Sequence, residues 1–280
     1  MKISIDEGLN ELFDAHLGIS KWHKHKIQCA LIPGQLKERD VRCLLSKMIS
    51  QMEENHRKAD PNYPRSLKNW RLERREKRSE ENKSKEIILE RLLVNDPDDT
   101  WYNQVPTSSG LFHTYACRRN AIDLVHQLDE SCYELIELKV DSDCPVYAAR
   151  EILRYGVIYL FTRIYLGENA FANKKLSYAK HIRLVVLAPR KSFVEFMNFE
   201  GLSVLEDKLN EGLSCYHQNQ LPELRIDFQF QVFSDSFENE VYPNLISLES
   251  AAALGLEDYL PDSRKIKDGI RRLFPGKGQD

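Results

Sequence analysis

The chain has 280 residues, 30% of them charged and 42% apolar, with a formal net charge of −3. That balance is ordinary for a soluble globular protein, and the whole-chain charge does not single out a nucleic-acid partner. No run approaches 18 apolar residues and the start lacks a charged-then-apolar signal pattern, so a cytoplasmic protein without a membrane partner is expected.

The first 55 residues read as helices. Ser4 with Glu7 three residues on is a capping box, followed by Leu9, Leu12, Phe13 and Leu17 at helical spacing before Gly18. After the Pro33-Gly34 turn, Val41, Leu44, Leu45, Met48, Ile49 and Met52 repeat the helical period. A basic stretch comes next. Between Arg57 and Lys85 there are 11 Lys or Arg against 5 Asp or Glu, so the rest of the chain is acidic. Arg71, Arg74, Arg75 and Arg78 surround Trp70 and Glu73 there, either as a solvated helix or linker with i,i+4 pairs or as a phosphate-contacting arm.

From Glu86 the pattern is a helix stopped by Asn95-Asp96-Pro97, and Trp101 to Tyr115 reads as an irregular strand or loop. Arg118 and Arg119 then lead into a hairpin, where they could meet a phosphate. Asp123 lies in one β-prone apolar run, and Glu137 and Lys139 lie two residues apart in the next. Side chains alternate along a strand, so Glu137 and Lys139 share a face and Leu138 points away. A turn at Leu128 to Cys132, centred on Glu130, sets Asp123 opposite Glu137 with Cβ atoms ~5 Å apart. Two carboxylates and an ammonium on one face of a half-buried hairpin suit a bound cation. Pro145 opens a long helix to Arg163, in which Gly156 implies close packing on a sheet. His181 to Pro189 reads as a buried central strand, Leu202 to Tyr216 as an amphipathic helix and Arg225 to Phe233 as a one-sided strand. Two closing helices are expected, Leu248 to Leu260 and Ser263 to Phe274. Cys29, Cys43, Cys117, Cys132, Cys144 and Cys215 show neither a C-x-x-C pair nor zinc spacing, and fit a reducing interior. The order of elements describes an α/β sandwich around a mixed sheet.

Asp123, then Glu137-Leu138-Lys139 about a dozen residues on, followed by a helix with Glu151 and Tyr155 one turn apart, resembles the PD-(D/E)XK nuclease superfamily. RecB-like members carry Gln-x-x-x-Tyr on that helix, where this chain has Glu151. The resemblance covers roughly residues 84 to 233. It implies a restriction-endonuclease-like fold over residues 84–280, with residues 1–83 as a helical and basic extension. It further implies Mg²⁺ or Mn²⁺ held by Asp123, Glu137, the Leu138 carbonyl and a glutamate of the preceding helix, Glu86 first and Glu90 as the alternative. Lys139 would act on the reacting phosphate or water, and Glu151 and Tyr155 would stand behind the ligands. Nucleic acid, DNA before RNA, is the implied substrate, and many members work as homodimers. The alternative is a non-catalytic member that binds nucleic acid or protein.

Overall fold

A computed structural model of the chain describes residues 4–19, 22–23, 26–27, 40–58, 68–75, 84–95, 99–107, 120–140, 144–196, 199–245, 266–267 and 269–274. Apart from a short antiparallel pair, β1 (Trp22–His23) and β2 (Lys26–Ile27), the strands form one six-stranded mixed sheet. In spatial order it contains β3 (Trp101–Pro106), β4 (Ala121–Gln127), β5 (Cys132–Leu138), β6 (His181–Ala188), β7 (Arg225–Val232) and β8 (Arg271–Arg272).

The β4–β5 hairpin forms where the turn residues place it. The Leu128 N–H donates to the Cys132 carbonyl (2.9 Å), and the Asp129 carboxylate accepts from the Ser131 N–H (2.7 Å), holding the reversal locally. Leu124 lies opposite Ile136 and Gln127 opposite Tyr133, the register expected for a turn centred on Glu130. β6 and β7 continue the sheet in parallel, so each needs a crossover. We label the helices α1 (Leu9–Leu17), α2 (Val41–Lys58), α3 (Lys85–Val94), α4 (Pro145–Phe161), α5 (Lys174–Ser177), α6 (Arg190–Phe196) and α7 (Phe199–Gln220). α4 precedes β6, and α6 and α7 precede β7.

Two apolar layers sandwich the sheet. On one face α4 and α7 cover Leu135, Leu184, Val186, Phe228 and Phe230, with α1 and α2 stacked on those helices. The stripe predicted for α2, from Val41 to Met52, is wholly buried there. On the other face α3 and the segment after β7 enclose Leu124, Ile136, Leu138, Val185 and Leu187. Gly156 of α4 fits the packing expected of it, because a Cβ there would stand 2.5 Å from Leu184 Cδ1 on β6. Gly212 does the same for α7, where a Cβ would meet Val41 Cγ1 at 2.9 Å.

The second face also carries an alternating ladder of directly paired residues. His126 meets Glu134 (3.1 Å), Glu134 meets Arg183 (3.2 Å) and Arg183 meets Asp227 (3.1 Å), each on the next strand. Burial works against the Glu134 charge, but His126, Arg183 and Gln231 outweigh it and hold its pKa low.

Several expectations are corrected. Ser4 does not cap α1: Ser4 to Gly8 form turns, and the helix starts at Leu9. β7 is not one-sided, since Gln229 and Gln231 on its polar face are buried and Gln231 donates to Glu134 (3.0 Å). The expected closing helix Ser263 to Phe274 ends instead as β8, with Gln231 opposite Arg272, so sheet-edge pairing wins over helical spacing. Leu248 to Leu260 lies outside the described residues. Of the helix or linker expected around residues 71–75, the structure has the extended linker. They run beside β3, where the Trp70 N–H donates to the Pro106 carbonyl (2.8 Å) and the Arg75 N–H to Asn103 Oδ1 (2.8 Å).

Candidate active site

β3 and β4 are irregular at one point, and the site grows from it. With Asn103 opposite Leu124 and Val105 opposite Ile122, Gln104 faces Asp123. Gln104 has φ +51°, a left-handed conformation that costs a non-glycine residue roughly 1–2 kcal/mol. Strict alternation would put Trp101 and Val105 on one face. Instead Trp101 packs in the α3 layer and Val105 in the α4 layer, so the strand changes face at Gln104. Ile122 and Leu124 divide in the same way across Asp123. This reversal explains the weak alternation in the sequence.

The hairpin ladder runs to Leu124 opposite Ile136, and the next residue, Asp123, lies beside the Glu137–Leu138 end of β5. Asp123 Oδ2 accepts from the Leu138 N–H (2.9 Å), fixing the carboxylate against the end of β5. The Lys139 ammonium lies 2.8 Å from Glu137 Oε1 and 3.1 Å from Glu151 Oε2 of α4. Glu137 and Lys139 are both buried, and Tyr155, one turn beyond Glu151, is only 5% exposed. The geometry therefore gathers Asp123, Glu137, Lys139, Glu151 and Tyr155.

Their electrostatics follow from crowding in a poorly hydrated place. Burial raises the Asp123 pKa to about 6, although Lys139 and the Leu138 N–H pull it down. Burial and then Asp123 raise Glu137 well above the usual carboxylate range. Burial opposes the Lys139 charge, but Glu137, Glu151 and Asp123 outweigh it and raise its pKa. Tyr155 is raised first by burial and then by Glu137, so its phenol stays protonated.

α3 supplies the neighbouring glutamates, the two named from the sequence. Glu86 accepts from the Val140 N–H (3.3 Å). Glu90 is 2% exposed and its pKa is pushed up to about 8, first by burial and then by Asp123. The strained Gln104 donates to Glu90 Oε2 (2.9 Å), tying the left-handed residue to the acidic cluster. Nothing in a single sequence marks Gln104.

The fit to a divalent cation can be tested on the donors themselves. Glu137 Oε2 is buried and receives no hydrogen bond, leaving a carboxylate oxygen for which a cation would be a partner. Among the described residues no three His, Cys, Asp or Glu side chains form a ready metal cage. Mg²⁺ does not require one, since it typically takes one or two carboxylates and keeps several waters. Asp123 and Glu137 supply two carboxylates of that kind.

The basic residues fare unequally. Arg78, Arg118 and Arg119 lie outside the described residues. Arg75 is exposed, and Arg71 pairs with Glu73 at 2.5 Å on the surface. Arg74 is not available to a phosphate: its guanidinium donates to the Val94 carbonyl at the end of α3 and pairs with Asp99. It acts as a C-terminal cap. Arg74→Ala is expected to lower stability by about 1–2 kcal/mol in urea unfolding, because α3 carbonyls lose a charged donor. The salt dependence of nucleic-acid binding should be unchanged; a shallower slope would return Arg74 to the phosphate-contacting arm.

Comparison of the chain with protein-family models, with curated proteins and with solved structures found no match.

Proposed function

We propose that the chain is a metal-dependent nuclease of the restriction-endonuclease-like kind, hydrolysing phosphodiester bonds, of DNA before RNA. The observation that carries this reading is the Asp123 carboxylate tied to the Leu138 N–H next to Glu137, with Lys139 held between Glu137 and Glu151. The order α3, β3, β4, β5, α4, β6 is also the order of helix, hairpin, helix and strand that the sequence resemblance implies.

Asp123 and Glu137, with the Leu138 carbonyl, are the residues that would hold Mg²⁺ or Mn²⁺, and Glu90 is a further buried carboxylate that feels the Asp123 charge. When bound, such a cation lowers the pKa of a coordinated water and offsets phosphoryl charge. Lys139 keeps its proton throughout, which suits it to orient the attacking water or to meet the negative charge that builds on the phosphoryl oxygens. Glu151 aims the lysine from α4, an element anchored on the sheet by Gly156. Leu138 holds Asp123 through its N–H, which fixes the carboxylate at the end of β5.

The test is nicking of supercoiled plasmid, with linear single-stranded DNA and RNA alongside, in Mg²⁺ or Mn²⁺ and in EDTA. Cleavage that requires metal and disappears in Asp123→Ala is expected. Nucleic-acid binding with no cleavage in either metal would leave the non-catalytic alternative.

A further inference from the structure

We infer that a basic cleft at the outer edge of the sheet binds a single-stranded flank of the same nucleic-acid substrate, a few nucleotides from the cut. This inference rests on reading the hairpin site as a nuclease. The cleft has a volume of about 330 Å³, within the range of sites that take a small polar ligand such as one nucleotide unit. It is lined by Arg71, Leu72, Tyr102, Gln127, Lys174 and Lys175, together with two neighbours of the lysines. Three of the lining side chains are cations and none is a carboxylate.

Four separate parts of the chain meet there, each fixed by hydrogen bonds or packing already in the fold. Residues 71–75 are held along β3 by main-chain and Asn103 hydrogen bonds. Tyr102 is paired with Val125 in the β3–β4 ladder and packs partly on the core, leaving its ring half-buried beside the cleft. Lys174 is steadied by the Glu168 carbonyl (3.3 Å) and Asn169 Oδ1 (3.1 Å), and Asn173 caps the turn that presents Lys175. Arg71 shares its charge with Glu73, but that pair is about half-exposed on both sides and is readily exchanged for a phosphate.

The chemistry selects the ligand class. Lys and Arg side chains bind backbone phosphates independently of sequence. A partly exposed aromatic ring beside them offers a base a stacking surface, which only an unpaired base can use. Position connects the cleft to the chemistry. Gln127 lies four residues along β4 from Asp123, roughly 13 Å at the usual strand rise. A stacked strand carries one phosphate per ~3.4 Å, so the cleft is about four nucleotides from the scissile bond, and fewer on an extended strand.

The test uses the full chain in EDTA and a fluorescent single-stranded DNA of about 20 nucleotides, read by anisotropy over a range of salt. Lys174→Glu/Lys175→Glu replaces two exposed side chains, and its melting temperature checks that the fold is kept. The variant is expected to bind at least ~10-fold more weakly, with a log-affinity against log-salt slope shallower by about 0.7 for each phosphate that is no longer neutralised. Tyr102→Leu keeps the apolar packing and should weaken binding without changing that slope. Equal affinity and slope in wild type and lysine variant overturn the inference, as does a wild type that binds no oligonucleotide. Metal-dependent plasmid nicking is scored separately. If nicking is absent while the lysine variant still loses affinity, the nuclease reading fails and the cleft stands. If nicking persists while oligonucleotide binding is insensitive to the lysines, the cleft fails and the nuclease reading stands.

Discussion

Lys139→Ala is expected to lower metal-dependent cleavage by at least ~100-fold, the usual scale for removing one preorganised electrostatic contributor to a transition state. The geometry gives the reason. The ammonium is buried, 2.8 Å from Glu137 and 3.1 Å from Glu151, so its position costs no reorganisation when charge develops nearby. Burial opposes its charge, but the neighbouring carboxylates outweigh it and raise its pKa, so it is charged at neutral pH. Its role is therefore a fixed positive charge, not a titrating base. Lys139→Arg retains the charge, but a planar guanidinium does not fit between two carboxylates placed for a compact ammonium, and recovery should be partial. Metal binding should survive Lys139→Ala, because an ammonium is not a ligand. The thermal shift given by Mn²⁺ should persist in that variant and vanish in Asp123→Ala. Cleavage by Lys139→Ala at the wild-type rate, with Asp123→Ala inactive, would show that the role given to Lys139 is wrong.

How far the sequence carried depends on whether local or distant interactions decide each position. The hairpin was legible because turn residues and strand period are local, and together they fix a register that brings Asp123 to the Glu137–Leu138 end of β5. α4 was legible because Pro145 marks its start and its apolar positions repeat with the helical period. The partners of Lys139 were half legible: Glu137 is two residues away, whereas Glu151 arrives from α4 only when that helix packs on β5 and β6. The choice between Glu86 and Glu90 is tertiary altogether. Both lie on the same helix one turn apart, and the reversed β3 decides which is buried beside Asp123. Residues 71–75 were left open between helix, linker and arm for the same reason. Their mixed charges fit each of these, and the edge of β3 decides by offering main-chain partners that an isolated helix lacks. The ladder from His126 to Asp227 joins four strands, each contributing one polar residue, and so leaves no pattern in any single stretch.

The melting behaviour of Asp123→Asn in EDTA and in metal is expected to separate a metal site from a structural ion pair, whatever the substrate. In the metal-free fold the carboxyls of Asp123 and Glu90 have pKa values of about 6 and about 8, above their ordinary 3.8 and 4.5. Glu137 is raised as well. The folded state therefore binds more protons than the unfolded state between those limits, and stability falls as pH rises through the window. The stabilisation of the protonated fold is complete below about 4, declines from there to about 8, and is absent above it. Removing the Asp123 charge relieves Glu90 and Glu137 together, so the variant in EDTA should be at least as stable as wild type at pH 8. Its stability should also fall less between pH 5 and pH 8, and that difference cancels the titration of groups elsewhere. Metal acts in the opposite direction. Its ligands must be deprotonated, so Mg²⁺ or Mn²⁺ should stabilise the wild type more at pH 8 than at pH 5.5. A hundredfold excess over Kd gives ~2.7 kcal/mol, and the variant should gain much less. A structural pair predicts the reverse pattern. Asp123→Asn would then keep only a neutral acceptor for the Leu138 N–H and lose the attraction of Lys139, melt earlier in EDTA, and leave both proteins indifferent to metal. That second pattern, obtained with Mn²⁺ as well as Mg²⁺, would remove the metal site and with it the chemistry proposed for the hairpin.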